Sequence, residues 1–183
     1  FGQNLTPEPS EAQCRAGNYK VGRVSLYGLN LAIEQPRGST RSGVDEKTGK
    51  AWSSRMAAHY GYIGGTTGAD GDGVDCFIGP LPEAERAYVI NQNIGGQFDE
   101  HKVMLAFPDL ASARAAYLNS YERGWDGLES IVPTSLSQLK WWLDNGDLKS
   151  PLRADTLPKE GLDTMKKTHW NTDALPYDTT LDK

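Results

Sequence analysis

The chain has 183 residues, which is enough for one domain with a hydrophobic core. Its 24 acidic side chains outnumber the 19 basic ones and give a net charge of −5, which argues against a nucleic-acid-binding surface. No apolar run is long enough to span a membrane, no segment resembles a signal peptide, and the two cysteines are too few for a disulfide framework, so we expect a soluble, cytoplasmic protein.

The first half of the chain has the pattern of a β-rich domain. Residues 1–17 predict a flexible lead-in, so we place the folded domain at residues 18–146. Apolar and polar residues alternate over 18–33 with a turn near Gly28, as in a β-hairpin. The later turns and strands are predicted in this order: polar turns at 34–43 and 45–49, then strands at 60–63, 75–78, 87–91 and 102–107.

The second half changes to helical periodicity. Apolar side chains over Leu110–Tyr121 share one face and predict an amphipathic helix. Thr134 or Ser135 can cap a second helix, which is expected to stop at Asn145-Gly146. Residues 147–183 show little periodicity, so we expect an extended C-terminal tail.

Three closely spaced carboxylates form the most informative stretch of the chain. Asp70, Asp72 and Asp75 alternate with glycines, and hard cations such as Mg²⁺ are held by carboxylate oxygens. The same composition is typical of a surface turn, because Asp bonds its own backbone and Gly tolerates positive φ. An EF-hand loop is excluded, since Val74 and Asp75 stand where an oxygen ligand and a glycine are needed. The residues alone leave a magnesium site and a plain turn open.

Further charged side chains follow downstream of this run. Glu100 and Lys102 are two positions apart, so they point to the same face of a strand. The pair is either part of a surface that binds metal and phosphate or an exposed ion pair worth under about 1 kcal/mol. Imidazole is not a preferred ligand of Mg²⁺, so we expect His59 and His101 to lie in the pocket or at its rim rather than on the metal.

A set of short motifs follows in order along residues 33–107. They are Ile33-Glu34-x-Pro36, Asp45-x-Lys47-Thr48-Gly49, His59-Tyr60-Gly61-Tyr62-Ile63, Asp70-Gly71-Asp72-Gly73-Val74-Asp75 and Glu100-x-Lys102. This order resembles family I soluble inorganic pyrophosphatases, with a weaker extension to the helix that contains Tyr121. More narrowly, the chain is similar to the pyrophosphatase-like domains of large phage polyvalent proteins, which would fit a start at Phe1 within a longer polyprotein.

The resemblance implies an α+β, mainly β fold, an OB-like five-stranded closed barrel flanked by two helices. It also implies hydrolysis of pyrophosphate to two phosphates by metal-activated water, with Mg²⁺ as the cofactor and Asp72 as the general base. The implied metal ligands are Glu34, Asp70, Asp75 and Glu100. The implied phosphate-binding residues are Arg41, Tyr60, Lys102 and Tyr121, with Arg55 added by one of two alignments.

The chain also departs from the family pattern. Gly43 stands where an acid would bind metal, the aspartate expected near Gly95 is missing unless Asp99 substitutes, and Gly73 replaces a usual Pro or Glu. Fewer acids imply fewer metal ions or a different substrate. Three alternatives therefore stay open: a hydrolase of nucleotides or other larger diphosphates, a catalytically weak module that binds a phosphorylated ligand or a protein partner, and a structural module. The sequence leaves a homo-oligomer open, and a phage origin would allow association with the virion.

Overall fold

The computed structural model describes residues 22–160. The lead-in predicted at 1–17 and the part of the predicted tail beyond residue 160 lie outside these described residues. The strands are β1 Gly22–Leu26, β2 Leu29–Gln35, β3 Thr40–Val44, β4 Ala51–Arg55, β5 His59–Ile63, β6 Val74–Ile78, β7 Arg86–Ile94, β8 Gln97–Leu105 and β9 Leu128–Ser135. The helices are α1 Leu110–Asn119, α2 Leu136–Asn145 and a short 3-10 helix at Ala154–Thr156.

Seven of the strands form one sheet in the order β1-β2-β5-β6-β8-β7-β9. Neighbouring strands are antiparallel except β6 and β8, which are parallel, and β3 and β4 pair with each other in a separate two-stranded sheet. Within residues 22–160 the edge strands β1 and β9 pair only with β2 and β7, so the sheet is open. The prediction of a five-stranded closed barrel is therefore wrong, whereas a mainly β, α+β fold with two helices is confirmed.

Three strands are absent from the predicted set, and of these only β9 belongs to the seven-stranded sheet. β3 and β4 coincide with segments predicted as polar turns or left unassigned, because most of their side chains stay exposed or half-exposed and show no apolar alternation. β9 contains Pro133, which argues against a central strand but is tolerated at the edge that β9 occupies. β9 extends the sheet at one end, while a barrel would require its two ends to pair.

Side chains of the central strands alternate between two cores, one on each face of the sheet. In β8, Val103 and Leu105 belong to the core that contains Trp142 of α2. Met104 lies between them in sequence and belongs to the core that contains Tyr117 of α1. Successive side chains of a strand point to opposite faces, so the two helices cover opposite faces of the sheet.

Both helices begin at side-chain caps. Asp109 Oδ1 accepts a hydrogen bond from Ser112 N at 2.7 Å at the start of α1. Ser135 Oγ accepts from Gln138 N at 3.0 Å and Gln138 Oε1 accepts from Ser135 N at 2.9 Å, which forms a capping box at the start of α2. The predicted cap at Ser135 is confirmed. No helix in the described part of the chain is long and apolar enough to cross a membrane.

The first part of the predicted tail packs on the domain itself. The Leu152 side chain is buried in the core beside α2. Asn91 holds the backbone of Leu152 from both sides, since its Nδ2 donates to the carbonyl at 2.9 Å and its Oδ1 accepts from the amide at 2.8 Å. Gln138 Nε2 donates to Pro158 O at 2.7 Å. Residues 147–160 are therefore fixed against the face that α2 covers.

Candidate active site

A polar cavity of about 660 Å³ opens where β2, the loop before β6 and strand β8 meet the β3–β4 hairpin. Most of the sequence-predicted site residues line it: Glu34, Arg41, Tyr60, Asp70, Asp72, Asp75 and Glu100. Gln35, Tyr62, Gly71 and Gly73 complete its wall. Side chains from distant parts of the chain thus converge on one concave surface that is mainly acidic.

The loop that carries Asp70 and Asp72 is a tight turn. Asp70 Oδ1 accepts from Asp72 N at 3.0 Å, and Gly68 N donates to Asp72 O at 2.7 Å. Gly71 has a φ of 91°, which glycine adopts without strain. The run therefore has the turn geometry that its composition predicts, and the same turn presents Asp70 and Asp72 to the cavity.

Lys102 lies buried beside the cavity and contacts side chains of β5, β6 and its own strand β8. Its Nζ donates to Glu100 Oε1 at 2.8 Å, to Tyr60 OH at 3.1 Å and to Asp75 Oδ2. Tyr60 OH in turn donates to the same Asp75 oxygen. The parallel pairing of β6 with β8 sets Asp75 opposite Lys102. The Lys102 side chain is 2% exposed, so the interpretation of the Glu100–Lys102 pair as an exposed ion pair is wrong.

Negative charge exceeds positive charge around the cavity. Burial, followed by repulsion from Asp75, raises the pKa of Glu34. Burial also raises the pKa of Glu100 to about 7, against the opposing attraction of Lys102. The Arg41 guanidinium lies 4.8 Å from the centre of the Tyr60 ring, in cation–π contact. A further cation in the cavity would stabilise the charged forms of both glutamates.

The donors at the cavity suit a hard divalent cation, because the acidic side chains offer only carboxylate oxygens. Within residues 22–160, no three Asp, Glu, His or Cys side chains converge as a metal site in the arrangement observed. Lys102 Nζ contacts one oxygen of each of two carboxylates, Oδ2 of Asp75 and Oε1 of Glu100. The donor chemistry therefore fits Mg²⁺, and exposed carboxylates such as that of Asp70 would have to turn toward the buried ones to hold it.

Arg55 and Tyr121 lie at a second cavity of about 440 Å³, next to the β3–β4 hairpin. In the hairpin Arg55 is paired with Thr40, one position before Arg41, so Arg41 and Arg55 point to opposite faces. Tyr121 OH donates to Gln92 Oε1 at 2.9 Å. The structure therefore brings Arg41 to the carboxylates and leaves Arg55 outside that group.

The two histidines have different surroundings. His59 Nδ1 accepts from Arg37 N at 3.1 Å, at the start of β5. His101 packs between Phe98 and Trp142, with ring centres 4.8 Å and 4.7 Å away. The prediction that His101 lies at the cavity is wrong, because strand alternation directs it away from the face of its neighbours in sequence.

Gln92 is the polar residue of this region that sequence reasoning missed. It is buried in β7 directly opposite Glu100 of β8. Its Nε2 donates to Glu100 Oε1 at 3.3 Å and its Oε1 accepts from Tyr117 OH at 2.7 Å. No local pattern marks it, because a register shift between Gln92 and Asn93 sets Gln92 opposite Glu100, whereas the Gly95-Gly96 turn alone would set it opposite Asp99.

The carboxylates, arginine, lysine and tyrosines around this cavity are the residue types with which phosphate-hydrolysing proteins hold metal ions and phosphate oxygens. The sequence profile described as Inorganic Pyrophosphatase matches residues 11–144. The chain therefore belongs to the inorganic pyrophosphatase family, and the resemblance found from its motifs is confirmed at that level. The narrower resemblance to phage polyvalent proteins stays a prediction.

Other comparisons add little to this assignment. The chain is similar to a solved structure described as an inorganic phosphatase from Anaplasma phagocytophilum, with 17% identity over 74% of this chain and 93% of that chain. The TM-score is 0.31, which is too low to establish a shared fold. No curated protein matches the chain. The family assignment therefore rests on the sequence match.

Proposed function

We propose that this chain hydrolyses a phosphoanhydride with Mg²⁺ as cofactor, and that inorganic pyrophosphate is its substrate. The observation that carries the proposal is the single cavity in which Asp72, the other carboxylates and Arg41 meet. Membership of the inorganic pyrophosphatase family supports the same reaction class.

The cavity acids are proposed as the metal ligands: Glu34, Asp70, Asp75 and Glu100. Such ions, when bound, neutralise phosphate oxygens and lower the pKa of a coordinated water. The raised pKa of Glu34 and of Glu100 supports this role, because both side chains lie where added positive charge is favourable.

The cationic side chains of the site are proposed to bind the substrate. Pyrophosphate carries several negative charges, so its oxygens need cations and hydrogen-bond donors. Arg41 is held over the Tyr60 ring and lines the cavity, and Lys102 is held beside it by two carboxylates. The hydroxyls of Tyr60 and Tyr121 would exchange their present acceptors for phosphate oxygens.

Asp72 is proposed to take the proton of the attacking water. Its backbone is fixed by the turn bonds to Asp70 and Gly68, while its side chain is exposed at the cavity wall. A carboxylate in that position can accept a proton without moving the backbone. A positioned general base contributes roughly 10² to 10⁴ in rate.

The test is phosphate release from pyrophosphate over a range of Mg²⁺ concentrations. We expect release by the wild-type chain and a roughly 10² to 10⁴ lower rate for Asp72→Asn. Asp155→Asn is the matched control, because Asp155 is exposed in the 3-10 helix and should keep the wild-type rate. No release from the wild-type chain at any Mg²⁺ concentration would contradict the proposal.

A second candidate is hydrolysis of a nucleotide or another larger diphosphate. The second cavity favours it, because it contains Arg55 and Arg123 and shares Tyr121 with the surroundings of the first. A group attached to the distal phosphate could enter this space. Comparing phosphate release from nucleoside triphosphates and from pyrophosphate separates the two, since faster release from the nucleotides would favour the larger substrate.

A third candidate is a catalytically weak domain that binds a phosphorylated ligand or the rest of a phage polyprotein. The Lys102 ammonium favours it, because it already neutralises Asp75 and Glu100. Calorimetric binding of Mg²⁺ and phosphate without turnover would support this reading.

Cytoplasmic location stays a prediction from the sequence.

A further inference from the structure

Gln92 is a buried polar residue next to the cavity, and the proposed reaction gives it no role. The side chain is 3% exposed and makes four hydrogen bonds, the full capacity of a side-chain amide. Its Oε1 accepts from Tyr117 OH at 2.7 Å and from Tyr121 OH at 2.9 Å. Its Nε2 donates to Asp99 Oδ2 at 2.9 Å and to Glu100 Oε1 at 3.3 Å. Such a complete set indicates a fixed orientation.

The direction of these bonds follows from their partners. Carboxylates only accept hydrogen bonds, so the amide nitrogen of Gln92 must face Asp99 and Glu100. Trp125 Nε1 donates to Tyr117 OH at 2.8 Å, which leaves the Tyr117 proton for Gln92. The reversed amide would set its oxygen against two carboxylates. The aromatic side chains therefore lock the amide in the orientation that donates toward the cavity.

The amide acts on one particular oxygen of Glu100. Gln92 Nε2 and Lys102 Nζ both donate to Oε1, at 3.3 Å and 2.8 Å. With Oε1 engaged by two donors, the carboxylate cannot rotate freely, and Oε2 is the oxygen left for the cavity that Glu100 lines. Hydrogen bonds of this kind orient a ligating carboxylate and tune the affinity for metal.

We propose that Gln92 is a positioning residue that holds Glu100 with one oxygen directed at the cavity for a divalent cation. The inference rests on the proposed function, because it assigns Glu100 to the metal. It predicts that losing the amide weakens cation binding even when the fold is intact.

Gln92→Met removes the amide while keeping the length of the side chain, and Mn²⁺ is the probe, measured by calorimetry or electron paramagnetic resonance without substrate. We expect the dissociation constant for Mn²⁺ to rise about 10- to 100-fold. The Mg²⁺ concentration for half-maximal phosphate release should rise in parallel. KM for pyrophosphate at saturating Mg²⁺ should change less than the Mg²⁺ requirement, because Arg41 and Tyr60 are untouched and only Tyr121 loses a hydrogen-bond partner.

Asn91→Leu is the matched control. Asn91 precedes Gln92 in β7, is fully buried, and uses its amide on Ser130 and Leu152 instead of the cavity. This variant should lose stability and keep the wild-type affinity for Mn²⁺. Gln92→Asn, which shortens the arm and keeps the amide, is the second test variant and should also weaken Mn²⁺ binding.

Unchanged Mn²⁺ affinity in folded Gln92→Met and Gln92→Asn would overturn the inference, as would an equal loss in Asn91→Leu. Failure of both Gln92 variants to fold would also overturn it, because Gln92 would then serve the core alone. Mn²⁺ binding by the wild-type chain without phosphate release defeats the proposed reaction and leaves the positioning role measurable. Phosphate release with unchanged Mn²⁺ affinity in the variants defeats the positioning role alone.

Discussion

Gly73 shapes the wall of the cavity by lacking a side chain. A Cβ at this position would lie 2.6 Å from Cδ2 of Tyr62 and 3.2 Å from its Cγ. Tyr62 stands opposite Asp75 in the β5–β6 pair, so displacement of the ring would disturb the strand that carries Asp75. The glycine that replaces a usual Pro or Glu is thus explained by close packing.

We expect Gly73→Ala to lower the free energy of unfolding by about 1 to 3 kcal/mol, the usual effect of overpacking. Phosphate release should fall with it. Urea denaturation and the phosphate assay measure the two effects. Gly68→Ala in the same loop is the control, because its Cβ would come no closer than 3.5 Å to atoms beyond its chain neighbours. An equal loss in both variants would contradict the packing argument.

His101 is a residue whose buried ring makes stability depend on pH. Burial lowers its pKa to about 4, with the Ser150 backbone and the Asp147 carboxylate opposing in part. The unfolded chain binds a proton near the ordinary pKa of 6.5 while the folded chain does not. The contribution of neutral His101 is therefore complete above pH 6.5 and is lost as the pH falls toward 4.

A fall from pH 7 to pH 5 should reduce the contribution of His101 to the free energy of unfolding by about 2 kcal/mol. The raised pKa of Glu100 acts in the opposite direction. The folded chain binds this proton more tightly than the unfolded chain, so the folded state gains stability as the pH falls. The informative quantity is therefore the difference between the wild-type chain and His101→Phe, measured by urea denaturation at both values. Parallel pH profiles for the two proteins would rule out this role for His101.

The sequence was informative about the charged residues of the candidate site and did not reveal the neutral Gln92. Asp70, Asp72 and Asp75 stand out because closely set carboxylates are rarely needed for packing. Gln92 could not be identified, since its partners come from α1 and β8 and no local pattern connects them. Arg55 was ambiguous, because only the register of the β3–β4 hairpin shows which face it occupies.

At the scale of elements, helix α2 depends on its capping box. Ser135 and Gln138 satisfy each other's backbone amides at the first turn. We expect Ser135→Ala to lower the free energy of unfolding by about 1 kcal/mol. Phosphate release should not change, because α2 packs on the face of the sheet away from Lys102. Thermal and urea denaturation provide the measurement.

Ser137→Ala is the control for this prediction. Ser137 is exposed inside the same helix, where alanine is the better helix former. The same substitution two residues apart should therefore have opposite signs. A loss of stability at Ser137 as large as that at Ser135 would argue against capping as the cause.

Helices and central strands were predictable because their signals are local. The buried residues Ala113 and Tyr117 of α1 lie about one helical turn apart, and the cap of α2 lies within its first turn. Closure of the sheet is decided by pairing between distant segments, such as β7 with β9, which no local pattern specifies. The closed barrel was predicted from the family resemblance. The structure instead has an open sheet, because its edge strands β1 and β9 do not pair with each other.

For the whole described molecule, the two faces of the sheet have separate tasks. The face with α1 carries Tyr60, Lys102 and the aromatic side chains that reach Gln92. The face with α2 carries an apolar core and the packed segment that ends the described chain. Substitutions on the second face should therefore act on stability, as Ser135 and His101 illustrate, while substitutions on the first face should act on the proposed binding of cation and phosphate.

The parallel junction of β6 and β8 also determines when the site can form during folding. The two strands are joined through β7, so Asp75 reaches Lys102 only after a long chain segment has closed. Burying either charge earlier would leave it without its partner, at a high cost in dehydration. We therefore expect the ion pair to lose its water in the same step that joins the two halves of the sheet, so that a refolding chain gains its charged cavity together with its topology.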